Sequence, residues 1–95
     1  MNTDTIDLTI FSPLATEIEE FLNAVSLHFH NFNDFRVFYK NIQFGTVSVG
    51  DTTVSCSLDL IVEWYDNTEW QVVKQTIAAQ LRKFSTRYNL EVRIE

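Results

Sequence analysis

No lysine or arginine stands before Arg36, although residues 1–34 already hold Asp4, Asp7, Glu17, Glu19, Glu20 and Asp34. Cysteine occurs once, as Cys56, so no internal disulfide can form, which fits a reducing compartment. Two glycines and one proline in 95 residues leave no room for a flexible linker or a low-complexity tail. No apolar run approaches the ~20 residues that cross a bilayer, so no contact with a membrane is expected. The opening MNTDTIDLTIF lacks the basic and small-residue signals of a leader, and a cytoplasmic protein is expected. Gly-rich phosphate loops, HExxH, paired CxxC, a serine elbow and kinase signatures are all missing, which points away from an enzyme and from any cofactor.

Seven basic residues face thirteen acidic ones, a formal charge of −6. Nucleic-acid binders draw their affinity from lysine and arginine on phosphates, so direct nucleic-acid binding is not expected. The length fits one domain spanning residues 1–95. With 45% hydrophobic residues, such a chain can bury a core of its own.

The hydropathy pattern supplies the architecture. Ile6, Leu8 and Ile10 alternate with Asp7, Thr9 and Phe11, the signature of a strand with one buried face. Ser12-Pro13 reads as a helix start, with Ser12 as N-cap. Leu14, Ile18, Phe21, Leu22, Val25, Phe29 and Phe32 then form one helical stripe, and Leu27 stands apolar on the opposite side. A hairpin follows, with arms 37–49 and 52–65 and a turn at Gly50-Asp51. In its second arm Val54, Cys56, Leu58, Leu60, Val62 and Trp64 share one face. Its first arm changes phase, which calls for a β-bulge. Placed at Gly45-Thr46, the bulge pairs Phe44 with Cys56, Ile42 with Leu58 and Phe38 with Val62. Thr68 and Gln71 match a capping box. Trp70, Val73, Ile77, Leu81, Phe84 and Tyr88 form a second stripe that Asn89 ends in the left-handed region. LEVRIE closes as a strand.

The order is β-α-β-β-α-β. Two helices must cover one face of a four-stranded antiparallel sheet, so the expected fold class is α+β, a ferredoxin-like βαββαβ sandwich of strand order 4-1-3-2 with a long second hairpin. That architecture hosts many functions and names none.

His28 and His30 lie about 200° apart around a helix and cannot share a metal, so no metal site is expected; their place near the helix C-terminus suits its dipole. Phe29, Phe32, Phe35 and Phe38 should pack where helix meets sheet. Cys56 falls on the inward face, a small buried hydrophobe rather than a nucleophile. EWYDNTEW, residues 63–70, gathers carboxylates and aromatics as sugar sites do, but strand end, turn and helix start account for its residues.

The informative surface is the sheet face that no helix covers. It should display Asp7, Thr9, Phe11, Tyr39, Asn41, Gln43, Asp59, Ile61, Glu63, Glu91, Arg93 and Glu95. RNA-recognition modules stack bases on such a face, but in a basic setting, and this one is acidic. It is expected to meet another protein, with Phe11, Tyr39, Asp59, Ile61 and Glu63 as contact residues. The hairpin tip adds Val47 and Val49 on a strand at the sheet edge, a route to a homodimer. The functional expectation is a small acidic, non-enzymatic protein of the inhibitor, immunity or adaptor type, one able to occlude a basic nucleic-acid-binding surface. The alternative is a ligand-binding or catalytic subunit whose site forms at an oligomer interface.

Overall fold

The computed structural model describes residues 1–31, 35–49 and 51–95, with only the backbone of Ser48, Val49 and Asp51. Its elements are β1 (Asn2–Ser12), α1 (Ala15–His30), β2 (Phe35–Val49), β3 (Asp51–Trp64), α2 (Trp70–Ser85) and β4 (Glu91–Ile94). They form one antiparallel sheet in the order β2-β3-β1-β4, which is the expected 4-1-3-2 read from the other edge. Both helices lie on one face. The fold is the α+β, ferredoxin-like βαββαβ sandwich.

The core forms where period-2 and period-3.6 apolar faces meet. Ile6, Leu8 and Ile10 of β1 and Cys56, Leu58, Leu60, Val62 and Trp64 of β3 supply the sheet side. The helix side comes from Ile18, Phe21, Leu22, Val25 and Phe29 of α1 and from Val73, Ile77 and Leu81 of α2. β1 pairs with β3 along its whole length, Asn2 with Trp64 through Ser12 with Val54. Tyr88 closes one end, its ring edge-on to Phe21 at 6.1 Å. Trp64 stacks on Trp70 at 5.4 Å and donates its indole N–H to the Thr68 carbonyl at 2.8 Å. These contacts explain most of the aromatic wealth of 63–70 as structure.

Several local expectations are corrected. Ser12 is the last residue of β1, not an N-cap. Its buried hydroxyl donates to the Asn89 carbonyl at 2.9 Å and accepts from the Leu14 N–H at 3.3 Å, tying the end of β1 to the chain after α2. Helix α1 begins later, so Leu14 is 57% exposed rather than part of the stripe. No capping box forms at α2, because Thr68 directs its N–H to Asp66 Oδ1 at 2.9 Å and Glu69 takes the cap position. Asn89 is not left-handed; the one non-glycine residue with positive φ among those described is Asn41. Phe32 and Gly50 lie outside the described residues, and Asp51 already opens β3.

The largest correction concerns the bulge. β2 pairs with β3 from Phe35–Trp64 to Lys40–Asp59, then shifts by one, so that Asn41 and Ile42 together oppose Leu58 before Gln43 meets Ser57. The extra residue sits at Asn41, not at Gly45-Thr46. Asparagine tolerates the φ of 56° found there, and its amide donates to Asp59 Oδ2 at 2.7 Å. Upstream of the shift, Phe35, Val37 and Tyr39 face the helices and Phe38 faces out. Of the three pairs expected, Phe44–Cys56 forms; Phe38 meets Ile61 instead of Val62, and Ile42 falls in the bulge. Gly45 serves another need: a Cβ there would stand 3.1 Å from Ser55 Oγ on the neighbouring strand.

Leu58 is 3% exposed inside the core, and Leu27 is 65% exposed on α1. In urea denaturation Leu58→Ala should cost about 2–5 kcal/mol. Leu27→Ala should stay within about 0.5 kcal/mol. Tyr39 donates its hydroxyl to the Leu22 carbonyl at 2.8 Å, and Tyr39→Phe should cost about 1 kcal/mol in the same assay. A negligible loss there would contradict the placement of the bulge.

Candidate interaction surfaces

The uncovered sheet face is built from alternate residues of four strands. Register places Thr3 beside Glu63 and Arg36, Thr5 beside Ile61 and Phe38, and Asp7 beside Asp59 and Lys40. Thr9 lies between Arg93 and Ser57, and Phe11 between Glu91 and Ser55. Phe11, Asp59, Ile61 and Glu63 therefore lie on this face as the alternation implies. Tyr39 does not: upstream of the bulge the odd residues of β2 turn inward, and it is half-buried against α1. Burial raises its phenol pKa well beyond the usual range. Phe38 occupies the outward position that had been assigned to Tyr39.

Two arginines lie over the aromatics of this face. The Arg93 guanidinium stands 4.8 Å from the Phe11 ring centre, and that of Arg36 5.4 Å from Phe38. Such cation–π contacts at exposed sites hold the rings against the sheet and shade them from water. Arg93 also reaches Glu91 at 3.3 Å, a solvent-exposed pair of little energetic weight.

The centre of the face is acidic and polar. Asp7, Thr9, Asn41, Gln43, Ser57 and Asp59 line a shallow depression of about 290 Å³. Asp7 and Asp59 are direct cross-strand neighbours. A hydrogen bond between their carboxyls requires a shared proton, and this raises the Asp7 pKa above 3.8; slight burial and the charges of Asp59 and Glu95 add to the rise, and Lys74 opposes it. Alternation alone put both residues on one face, but only the register shows that they touch. Asp66, at the turn before α2, is shifted the other way by accepting from Thr68.

The second surface is the β2 arm. Phe38, Ile42, Phe44 and Val47 are 43%, 46%, 48% and 41% exposed. Ile42 and Phe44 turn to the helix side, where with Glu19, Leu22, Asn23 and Tyr39 they line an open cleft of about 340 Å³. Val47 pairs with Thr53 and faces the open side, whereas Val54 pairs with Thr46 and packs toward the core. Of the two tip valines expected at the edge, Val47 is thus set by the earlier bulge on the face opposite to Val54, and the Val49 side chain lies outside the described residues. Sequence reading missed Ile42 and Phe44 as exposed: both turn to the helix side as expected, but α1 only partly covers them there.

The histidines do not converge. His28 is half-buried at the helix pair, its ring 4.9 Å from Phe84 and 5.3 Å from Phe29, and His30 is exposed. Among the described residues no three metal-ligating side chains come together. Nor is any helix among them long and apolar enough to cross a membrane. Cys56 is fully buried and its thiol pKa is pushed up by burial, which disfavours the thiolate.

Two expectations follow. A thiol reagent should label Cys56 only when the chain unfolds, and fast labelling under native conditions would contradict its burial. For Asp7, the raised native pKa means that the folded chain takes up a proton before the unfolded chain does. Stability from this group rises as pH falls through the native value and levels off below the unfolded value near 3.8. Asp7→Asn should therefore raise the melting temperature at pH 7, and its advantage over wild type should vanish near pH 3.5–4. An advantage that persists unchanged into acid would show that the carboxyl pair is not its source.

No protein-family profile and no curated protein matches this sequence. Solved structures do share its fold. The chain is similar to part of a dinuclear metal-binding peptidase of the M20 family from Bacillus subtilis, with a TM-score of 0.65 and 10% identity over 98% of this chain and 24% of that one. It is similar to part of a putative amidohydrolase/peptidase from Burkholderia cenocepacia, with a TM-score of 0.63 and 14% identity over 98% and 27% of the two chains. A formyltetrahydrofolate deformylase from Pseudomonas putida gives a TM-score of 0.55 at 10% identity, over 97% and 28%. The chain spans about a quarter of each of these proteins, and at such identities the likeness is one of fold.

Proposed function

We propose that this chain is a non-enzymatic protein that acts through protein–protein contact, and that the contact runs through β2. The observation that carries this reading is the state of that strand. β2 is a 15-residue strand at the edge of the sheet, and among the described residues no strand lies on its outer side. An open edge offers a row of main-chain donors and acceptors to another chain. Here the edge is flanked by Phe38 and Val47 on one face and by Ile42 and Phe44 on the other. Lys40 is the only ionic guard near the middle of the strand. Pairing with a second copy would bury the four hydrophobes together with the hydrogen-bonding edge. The recurrence of this fold as about a quarter of larger chains supports reading it as a unit that works against other protein surface.

The charge of −6 and the acidic centre of the uncovered face suit a basic partner. That fits an inhibitor, immunity or adaptor protein able to occlude a nucleic-acid-binding surface. One observation favours the alternative, a ligand site completed by oligomerisation. The cleft between α1 and β2 lies along the proposed interface and is open on the side a partner would close.

Light scattering at micromolar concentration tests the first reading. Wild type should be a dimer, and the Ile42→Glu, Phe44→Glu double variant a monomer of nearly unchanged melting temperature, because both side chains are already half exposed. A monomeric wild type would sink self-association through β2.

A further inference from the structure

We infer that two copies of this chain join their β2 strands antiparallel about the Asn41 bulge, so that Tyr39 of each copy meets Phe44 of the other. The inference rests on the reading of β2 as a self-pairing edge and adds its register. The phase of the sheet carries it. Asp7 and Glu95 exchange two main-chain hydrogen bonds, at 3.3 and 2.9 Å, so odd residues of β1 aim their main-chain groups toward β4 and even residues toward β3. Leu58 and Leu60 of β3 are therefore spent on β1, and Ser57, Asp59 and Ile61 bond toward β2. Their partners on β2, Gln43, Lys40 and Phe38, bond inward in turn. Val37, Tyr39, Phe44 and Thr46 point N–H and C=O to the free edge.

The outward residues are odd before the bulge and even after it. A two-fold axis runs two copies of an edge strand antiparallel and keeps like faces together. An outward residue must meet an outward residue. The arm before the bulge can then pair along its length only with the arm after the bulge of the other copy. In the register that sets bulge against bulge, Tyr39 meets Phe44, Val37 meets Thr46, and Asn41 lies across the axis from Ile42. A slip of two residues either way would put Ile42 opposite Tyr39, or the left-handed Asn41 opposite Phe44, and break the ladder.

The side chains agree with this register. On the helix side, Phe44 of one copy lies beside Tyr39 of the other, at the cleft that Glu19, Leu22 and Asn23 leave open. It gains there the apolar cover that α1 does not give it. On the open face, Phe38 falls opposite Gly45, a bare stretch of backbone that an aromatic ring can cover. Lys40 falls opposite Gln43 and Arg36 opposite Val47, so neither cation of β2 stands opposite a like charge. Pairing of the arm with itself, Thr46 against Thr46, would use only the downstream half and leave Phe38 uncovered.

Disulfide trapping reads the register. Arg36→Cys and Val47→Cys combined in one chain should give a covalent dimer in glutathione buffer, since non-hydrogen-bonded pairs across antiparallel strands stand within bridging distance. Within one chain the two positions are roughly 35 Å apart and cannot bridge. Either cysteine alone, and Thr46→Cys, should stay uncrosslinked; Cys56 is buried and adds no background. In the wild type, raising the concentration from the monomer to the dimer range should slow amide exchange about tenfold at Val37, Tyr39, Phe44 and Thr46 together. A covalent dimer from Val47→Cys or Thr46→Cys alone, or slowed exchange confined to Phe44 and Thr46, would place the axis in the arm and overturn the register while dimerisation stands. A double variant that is dimeric by light scattering but forms no disulfide would overturn it too. A wild type that stays monomeric would remove the reading of β2 itself and the register with it.

Discussion

One asparagine in an unusual backbone conformation decides what the surface of this protein looks like. Asn41 takes a positive φ, its amide is held by Asp59, and β2 gains one residue relative to β3 at that point. Because side chains alternate with a period of two, a single inserted residue exchanges the two faces of the strand. Upstream, Phe35, Val37 and Tyr39 pack toward the helices. Downstream, Phe44 and Thr46 turn to that side. Phe38 and Val47 are left on the open face. A bulge four residues later would have buried Phe38 and exposed Tyr39, and the uncovered face would carry a different set of aromatics.

The second constraint is length. Helices of 16 residues rise about 24 Å. A strand of 15 residues runs about 50 Å, comparable with the 47 Å long axis of the molecule. The helices can cover only about half of the β2–β3 hairpin. The core is confined to that half, and beyond it the arm must leave apolar side chains at the surface or place them against another chain. At the opposite edge β4 pairs with Leu8–Phe11 of β1.

Packing accounts for features that first look chemical. His28 and the aromatics around it form a helix-to-helix contact. Trp64 and Trp70 stack to join strand end and helix start, and Cys56 fills a place in the core. What remains after these are absorbed is the polar centre of the open face, where Asp7 and Asp59 are held side by side by strand register. Like charges set opposite each other disfavour the sheet unless a proton, a cation or a basic partner relieves them.

Much of this was written in the chain. The alternation of 6–11 and 54–64, and the stripes of 18–29 and 73–81, dictated element types, their order and most of the core. Two amphipathic helices and four one-sided strands have few ways to bury every apolar face at once. What the pattern could not settle was where β2 changes phase. The alternation pointed to Gly45-Thr46, which would have turned Phe38 and Val47 inward; the extra residue at Asn41 leaves both on the open face. The choice rests on a hydrogen bond to Asp59 and on the room beside Ser55, two residues of another strand. The helix caps escaped for a similar reason. Ser12 has the chemistry of an N-cap, but its hydroxyl is drawn to the Asn89 carbonyl, a partner 77 positions away. Periodicity along the chain is local and can be read from one segment. Register and capping depend on which distant group arrives opposite, and only the folded sheet brings those groups together.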